Sequence, residues 1–426
     1  MHDVCRGFYE NLRLNKSEKL HRTENMNKPL RLAARVDNLG IETAFVVAAQ
    51  TKAHADAGNT VYPFHLGDLN LATPEHIIEA AYRAMKEGKN GYTPNAGIPQ
   101  LREALAEMAN RTRNTSYSMD HVAIQPGGKP VIAKFLLAVM NPGDEVLYPN
   151  PGFPIYESQI RFHGGVAVPY SIVAGATNFS FDIDAIERSI SNKTRILIIN
   201  DLHNPTGAEC SPEDRRRIAA LAVKHDLLVL LDEAYFDVRF EGVSASLVSE
   251  PGMVERSVIL YTFSKRFAMT GWRIGAALGP EELIDIIIKL NVNDESCTSH
   301  AGQYAALEAL HGNQSGAELI LTTLKKRRDL CVELLNNIEG VHCFKPDTTF
   351  YLYPDVTEAM AAKGCSEYNH FLSEVLNHTG VSMCARSHFG SPLPGEQRKY
   401  LRVAYSGITR ASIEEGLKKL KQYLEK

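Results

Sequence analysis

The sequence predicts an α/β fold with a mostly parallel central sheet, helices on both faces of that sheet, and a smaller α+β domain. Three apolar runs support the sheet, at residues 195–200, 227–231 and 257–261. Continuous apolar runs of this length are typical of strands buried on both faces. Segments with helix-start signals lie between such runs, and this alternation of strand and helix indicates parallel strands joined by crossover helices.

Local signals predict the individual elements. Arg35 to Asp56 has apolar residues at helical spacing and is expected to form one helix that leads into a strand over Val61–Leu66. Thr73, Pro74 and Glu75 supply a hydroxyl cap, a first-turn proline and an acid, so a helix is expected to begin there. Gly88 is placed to end it.

Further elements follow the same pattern. Helices are expected over residues 100–110, 130–140, 211–225, 301–311 and 317–338, strands over 122–125, 141–148 and 399–406, and a polar loop over 290–299. We expect residues 1–30 to form an N-terminal extension, and its polar sequence makes it a candidate for disorder. A small domain is expected to combine residues 31–72 with 313–426, and a large domain to span residues 73–312.

The composition excludes several classes of protein. The chain has 426 residues, of which 44% are hydrophobic and 23% charged, as in soluble globular proteins. Its net charge of -4 argues against a general nucleic-acid surface. No apolar run approaches the roughly 20 residues that cross a bilayer. The seven cysteines are odd in number and lack a Cys-x-x-Cys pair, which favours reduced thiols in the cytoplasm, and no metal site is expected.

The segment from Tyr261 to Gly275 carries the strongest chemical signal. It follows an apolar strand and presents two hydroxyls, Thr262 and Ser264, then Lys265, and later Arg273. A lysine amine in such a place can form a Schiff base with an aldehyde. The hydroxyls and the guanidinium would hold a neighbouring phosphate, since arginine binds phosphate with two parallel hydrogen bonds.

Two other strand ends carry polar signals. Gly127 and Gly128 lie between an expected strand and an expected helix, where backbone N–H groups can close on a phosphate; most glycine pairs are only turns. Asp232 ends the apolar run 227–231, a place where α/β proteins keep chemical groups. It could instead do no more than cap the following segment.

The arrangement Ser-Lys-x-x-x-Met-Thr-Gly-Trp-Arg-Ile-Gly from Ser264 to Gly275, together with Asn204-Pro-Thr-Gly207, resembles the aspartate aminotransferase family of class I/II. The resemblance implies fold type I, pyridoxal 5'-phosphate (PLP) as cofactor, and transfer of an amino group from an L-amino acid to a 2-oxo acid. It covers the chain from about Arg35 onward.

The resemblance also implies a role for each cofactor-binding residue. Lys265 would hold the cofactor covalently and move the substrate proton, and Asp232 would keep the ring nitrogen protonated. The remaining contacts would be Phe153 stacked on the ring, Asn204 and Tyr235 at its phenolic oxygen, and Gly127, Gly128, Lys129, Thr262, Ser264 and Arg273 around the phosphate. Tyr92 would reach the phosphate of a neighbouring subunit, which implies a homodimer with shared active sites.

Substrate contacts follow from the same resemblance. Arg402 would bind the substrate carboxylate, with Gly67 and Asn204 nearby. Lys129 matches a lysine that one branch uses for a side-chain carboxylate, which favours aspartate or glutamate. Glu42, at a position where that branch has a small hydroxyl residue, would repel such a substrate, pair with Lys129, or favour a cationic side chain.

Other departures from the family pattern leave alternatives open. The loop at Gly67 reads Gly-Asp-Leu-Asn-Leu, and His300 stands where proline is common. An aminotransferase for basic or aromatic amino acids is therefore a second hypothesis. A β-lyase, a racemase or an amino acid oxidase of the same fold is a third, because cofactor motifs do not decide which bond breaks.

Overall fold

The computed structural model describes residues 30–42 and 44–426 of the chain. Its helices are α1 Ala44–Asp56, α2 Glu75–Lys86, α3 Pro99–Arg113, α4 Lys129–Val139, α5 Ile155–Phe162, α6 Ile183–Ser189, α7 Pro212–Lys224, α8 Glu281–Asn293, α9 His300–His311, α10 Ser315–Asn336, α11 Thr357–Ala362, α12 Tyr368–Thr379 and α13 Arg410–Leu424. The predicted extension over residues 1–30 lies outside the described residues, except for its last residue.

The strands are β1 Tyr62–Pro63, β2 Val122–Gln125, β3 Glu145–Asn150, β4 Val166–Ala174, β5 Phe179–Phe181, β6 Thr194–Ile199, β7 Leu228–Asp232, β8 Ser257–Thr262, β9 Gly275–Leu278, β10 Tyr351–Leu352, β11 Val381–Ser382, β12 Cys384–Ala385 and β13 Leu401–Ala404. Within the described chain, one large sheet has the order β2-β9-β8-β7-β6-β3-β4-β5. The pairs from β4 through β3, β6 and β7 to β8 are parallel, and β9 and β5 run antiparallel to their neighbours.

Both faces of the large sheet are covered, as the apolar strands predict. In β6, Leu197 and Ile199 pack into a core formed with α2, α3, α7 and α9. The alternate residues Ile196 and Ile198 pack into a second core formed with α4, α5 and α8. Successive side chains of a strand point to opposite faces, so these two cores show helices on both sides of the sheet. The predicted fold class is confirmed.

A third core lies outside the large sheet. It joins Tyr62 and Phe64, near the start of the described chain, to α10, α12 and α13 and to the short strands β10 and β13. The sheet order β10-β13-β12 and the parallel pair β1–β11 lie in this region. The exact domain boundaries stay a prediction. No helix among the described residues combines the length and the apolar character that a membrane span needs.

The first predicted helix is interrupted. A 3-10 helix covers Ala34–Asn38 and α1 begins at Ala44, so the prediction of one continuous helix from Arg35 to Asp56 is wrong. Glycine is a poor helix former. The backbone N–H of Gly40 instead donates to the hydroxyl of Ser158, at 3.0 Å. The break places Glu42 beside the carboxyl end of the large sheet.

The predicted polar loop over residues 290–299 begins later than expected. Helix α8 extends to Asn293. Asn291 is buried, and its amide donates to the carbonyl oxygens of Asn95 and Ile124, at 2.9 and 3.3 Å. These bonds offset the cost of burying a polar side chain. Its polar side chain indicated a loop, but a tertiary hydrogen-bond network holds it in the helix.

Candidate active site

A cavity of about 320 Å³ opens at the carboxyl ends of β6, β7 and β8. Of the residues that the sequence nominated, it is lined by Glu42, Gly67, Gly128, Lys129, Phe153, Asn204, Asp232, Tyr235, Thr262, Ser264, Lys265, Arg273 and Arg402. Parallel strands end together at one edge of a sheet, so motifs far apart in the sequence meet there. Gly127 packs against the guanidinium of Arg273 and does not itself line the cavity. Tyr92 does not line the cavity either.

Lys265 lies at the centre of the cavity wall. Its Nζ donates to the carbonyl oxygen of Gly67 at 3.2 Å and lies 5.7 Å from the centre of the Tyr235 ring. Burial disfavours the charged amine and lowers the pKa of Lys265 to about 8. A lysine with a lowered pKa has a larger neutral, nucleophilic fraction near neutral pH than an ordinary lysine has, which favours imine formation.

Asp232 ends β7 and is held by three hydrogen bonds. Its Oδ2 accepts from the hydroxyl of Tyr156 at 2.5 Å, and its Oδ1 accepts from the backbone N–H of Ala234 at 3.2 Å. Its own backbone oxygen accepts from the Asn200 amide at 2.9 Å. Burial raises the pKa of Asp232, whereas the bonds from Tyr156 and Ala234 lower it. The carboxylate is therefore fixed in place and aimed into the cavity.

An anion-binding region lies at the N-terminus of α4. A side chain at Gly127, where φ is +97°, would clash with the guanidinium of Arg273. Arg273 is oriented by its own bond to the carbonyl oxygen of Thr270, at 2.8 Å. Next to Gly128, the hydroxyl of Thr262 donates to that of Ser264 at 2.9 Å. A helix N-terminus, a guanidinium and two hydroxyls form the donor set that suits a phosphate.

Arg402 reaches the cavity from β13 and is almost completely buried. Its guanidinium lies between the rings of Tyr351 and Phe389, 4.5 and 4.7 Å from their centres. Nη2 donates to the carbonyl oxygen of His65 at 2.6 Å, and Nη1 to the side-chain oxygen of Asn204 at 3.3 Å. No atom of the described residues accepts from Nε. A buried donor without a partner is costly, so this nitrogen indicates a site for an external anion.

Tyr235 and Tyr351 both line the cavity, and a hydrogen bond joins their hydroxyl groups. Their hydroxyl oxygens lie 2.7 Å apart. A side chain at Gly67 would overlap the hydroxyl of Tyr351, so glycine is required there for this tyrosine to approach. Burial raises the pKa of both phenols, which keeps them protonated as hydrogen-bond donors.

Glu42 and Lys129 form an ion pair on the wall of the cavity. Oε2 of Glu42 lies 2.5 Å from Nζ of Lys129, and that ammonium lies 5.4 Å from the centre of the Phe153 ring. Both side chains are partly accessible, at 24% for Glu42 and 47% for Lys129. Of the three outcomes expected for Glu42, the structure shows the pairing with Lys129.

Several residues of the site were not predicted from the sequence, among them Tyr156 and Tyr351. Tyr156 lies in α5, three positions after Phe153, which precedes that helix; their ring centres are 5.8 Å apart, and this closeness in the sequence was the available signal. Tyr351 follows Phe350 and begins a short strand. Nothing in the sequence around it distinguishes it from a core residue. Tyr92 is 87% exposed and does not line the cavity of its own chain, so its predicted role across a subunit interface stays a prediction.

The described residues fit PLP. The cavity offers an amine of lowered pKa, a buried carboxylate, and a phosphate donor set in one enclosure. The aromatic face of Phe153 lines the same space. Each group corresponds to one chemical part of the cofactor: its aldehyde, its ring nitrogen, its phosphate and its ring face.

Comparisons with known proteins agree with this reading. The sequence model of the family described as "Aminotransferase class I and II" matches residues 60–420. The chain is 30% identical to an asparagine–oxo-acid transaminase of Streptococcus mutans over 93% of this chain and 100% of that protein. It is also 30% identical to an aspartate aminotransferase of Bacillus subtilis, again over 93% and 100%.

A solved structure gives the same result for the fold. The aspartate aminotransferase of Thermus thermophilus with maleate superposes with a TM-score of 0.83, at 29% identity, over 92% of this chain and 99% of the other. The matching residues span both the large sheet and the third core. The chain therefore belongs to the aminotransferase class I and II family, whose members use PLP, and it is a transaminase that acts on amino acids and 2-oxo acids.

Proposed function

We propose that this transaminase binds PLP at Lys265 and that its preferred amino donor carries a side-chain carboxylate, as aspartate and glutamate do. One observation carries the proposal: Lys265, Asp232, Arg402 and Lys129 line one cavity. When bound, PLP supplies an electron sink for the negative charge that develops at the substrate α carbon.

Lys265 acts as the attachment point and then as the proton carrier. Lys265 would give up its bond to the cofactor to the amino group of the substrate, and its Nζ would then be a free amine close to the substrate α carbon. Because the pKa of Lys265 is lowered to about 8, this amine can take the α proton and return it at the other end of the reacting system. Gly67, whose carbonyl oxygen accepts from Nζ, orients the amine before the cofactor is attached.

Asp232 holds the proton of the cofactor ring nitrogen. Its carboxylate accepts from Tyr156 and from the backbone of Ala234, so it cannot rotate away from the cavity. The amide of Asn204 and the hydroxyl of Tyr235 line the same cavity, and both are proposed to donate to the ring oxygen. Phe153 provides the flat apolar surface against which the ring lies.

Arg402 binds the α-carboxylate of the substrate. A planar guanidinium matches both oxygens of a carboxylate, and the two flanking rings prevent it from turning. With the carboxylate fixed there, the α C–H bond is directed at the ring face, so proton removal is favoured over loss of the carboxylate.

Lys129 is proposed to contact the side-chain carboxylate of the donor. It lines the same cavity as Arg402, so two negatively charged substrate groups would each meet one cation. The relatives named for aspartate and asparagine are consistent with such a donor. Glu42 supports a second candidate, a donor with a cationic side chain, because its carboxylate also lines the cavity.

We propose that the protein is a cytoplasmic homodimer. The exposed Tyr92 is available to reach the phosphate region of a second subunit. Nδ1 of His300, at the start of α9, donates to the carbonyl oxygen of Gly91 at 3.1 Å, so the two loops expected at that interface are in contact. Sedimentation of the purified protein tests the dimer.

A panel of amino donors tests the proposed function. Transfer to a 2-oxo acid is measured for aspartate, glutamate, alanine, phenylalanine and arginine with the wild type, Lys129→Gln and Lys52→Gln. Lys52 is an exposed residue of α1 outside the cavity and serves as the matched control. The proposal expects aspartate or glutamate to give the highest kcat/KM, and Lys129→Gln to reduce that value selectively. Highest activity with arginine would favour the second candidate instead.

A further inference from the structure

The ammonium of Lys129 is already occupied by an anion of its own chain. Glu42 Oε2 lies 2.5 Å from Lys129 Nζ, and both side chains line the cavity. Other cations of the cavity are differently engaged: Arg402 is bound by His65 and Asn204, and Arg273 by Thr270. A substrate side-chain carboxylate that approaches Lys129 therefore finds its binding position occupied by the carboxylate of Glu42.

The position of Glu42 allows it to be displaced. It lies in the interruption between the 3-10 helix and α1, and not inside a helix or strand. Within residues 30–42 and 44–426, Lys129 is the hydrogen-bonding partner of its carboxylate. Both members of the pair keep access to solvent. A partly exposed ion pair is a weak interaction that a competing carboxylate can replace.

We infer that Glu42 competes with the side-chain carboxylate of an acidic substrate for Lys129, and so limits the preference of this enzyme for acidic substrates. This inference rests on the proposed function of Lys129. An acidic side chain must separate Glu42 from Lys129 before it can bind, and two carboxylates in one small enclosure repel each other. A neutral side chain leaves the pair in place. Glu42 is thus a specificity-determining residue.

Binding of non-reacting carboxylates to the PLP-loaded enzyme tests the inference without relying on turnover. Succinate carries two carboxylates and propionate one. Their dissociation constants are measured by calorimetry for the wild type, Glu42→Gln, Lys129→Gln and the double variant. Glu42→Gln removes the competing charge and is expected to tighten succinate about fivefold, as the loss of a partly exposed ion pair permits, with propionate within about twofold.

Asp56→Asn is the matched control. Asp56 is a carboxylate of α1 that pairs with Lys52, and it lies outside the cavity. It changes the net charge of the chain as much as Glu42→Gln does, so it should leave succinate binding unchanged. Glu42→Ala repeats the test if the glutamine variant is poorly folded. In the double variant, the tightening caused by Glu42→Gln should be absent because its target is gone.

The outcomes separate the two proposals. Succinate binding that is unchanged or weaker in Glu42→Gln would overturn the role of Glu42. If Lys129→Gln binds succinate as tightly as the wild type does, the proposed contact between Lys129 and an acidic side chain is wrong. Tightening in Glu42→Gln that persists in the double variant would overturn competition for Lys129 while leaving a general charge effect.

Discussion

The hydroxyl of Tyr156 lies 2.5 Å from Oδ2 of Asp232, in a fully buried position behind the cavity. This bond stabilises the negative charge of a carboxylate whose pKa burial raises. Tyr156 comes from α5, and Asp232 from the end of β7, so packing of the helix on the sheet sets the distance. With the role proposed for Asp232, the protonation of the cofactor ring would depend on this contact.

Tyr156→Phe should therefore slow catalysis more than it weakens substrate binding. Hydrogen bonds to charged groups contribute about 1.5–3 kcal/mol, so kcat should fall roughly 10- to 100-fold with a small change in KM. The control is Tyr170→Phe, which also removes a buried hydroxyl but one that donates to the carbonyl oxygen of Ile198. Equal losses of kcat in the two variants would show that Tyr156 acts only through stability.

Gly127→Ala should reduce the affinity for PLP. Its φ of +97° is strained for alanine, and the added methyl group would clash with Arg273. Gly143→Ala is the control, since φ there is +92° and no atom lies within 4 Å of the added methyl group. Both variants should lose about 1–3 kcal/mol of unfolding free energy from the backbone strain, measured by urea denaturation. Only Gly127→Ala should show a higher dissociation constant for PLP.

The amine of Lys265 should react as a base of low pKa. Burial lowers its pKa from 10.5 to about 8, which means that the neutral form predominates above about pH 8. In the protein freed of PLP, acetylation of Lys265 with limiting acetic anhydride should rise with pH and reach half its plateau near pH 8, as followed by mass spectrometry. A midpoint near 10.5 would contradict the account of this residue.

Arg402→Lys should weaken all amino donors alike. Lysine keeps the charge but loses the planar fork, so about 1.5–3 kcal/mol of carboxylate binding should be lost and KM should rise roughly 10- to 100-fold. The effect should be the same for acidic and neutral donors because they share the α-carboxylate. Arg410→Lys, an exposed residue paired with Glu414, is the control. A loss confined to acidic donors would place Arg402 at the side chain of the substrate.

The residues that follow buried strands could be predicted from the sequence. Asn204, Asp232 and Lys265 each come soon after an apolar run, and parallel strands bring their carboxyl ends together. The structure accordingly places all three in one cavity. The position of each residue just after a buried strand was enough to predict that the three side chains lie close together.

Other features depend on tertiary distances that local patterns do not contain. Tyr351 meets Tyr235 only because Gly67 leaves room for its hydroxyl. The interruption at Gly40 arises from a hydrogen bond to Ser158, which is 118 residues away. That interruption brings Glu42 to Lys129. From the sequence, pairing with Lys129 was one of three outcomes expected for Glu42, and the local pattern could not show which of them occurs.

The most direct test of the central claim is a half-reaction followed by absorbance. The PLP-loaded protein is mixed with aspartate or glutamate in the absence of a 2-oxo acid, and the products are measured. We expect conversion of the aldehyde-form band to the amine-form band, one 2-oxo acid per site, no free ammonia, and recovery of the first band when a 2-oxo acid is added. Continuous release of ammonia without an acceptor, or consumption of oxygen, would contradict it.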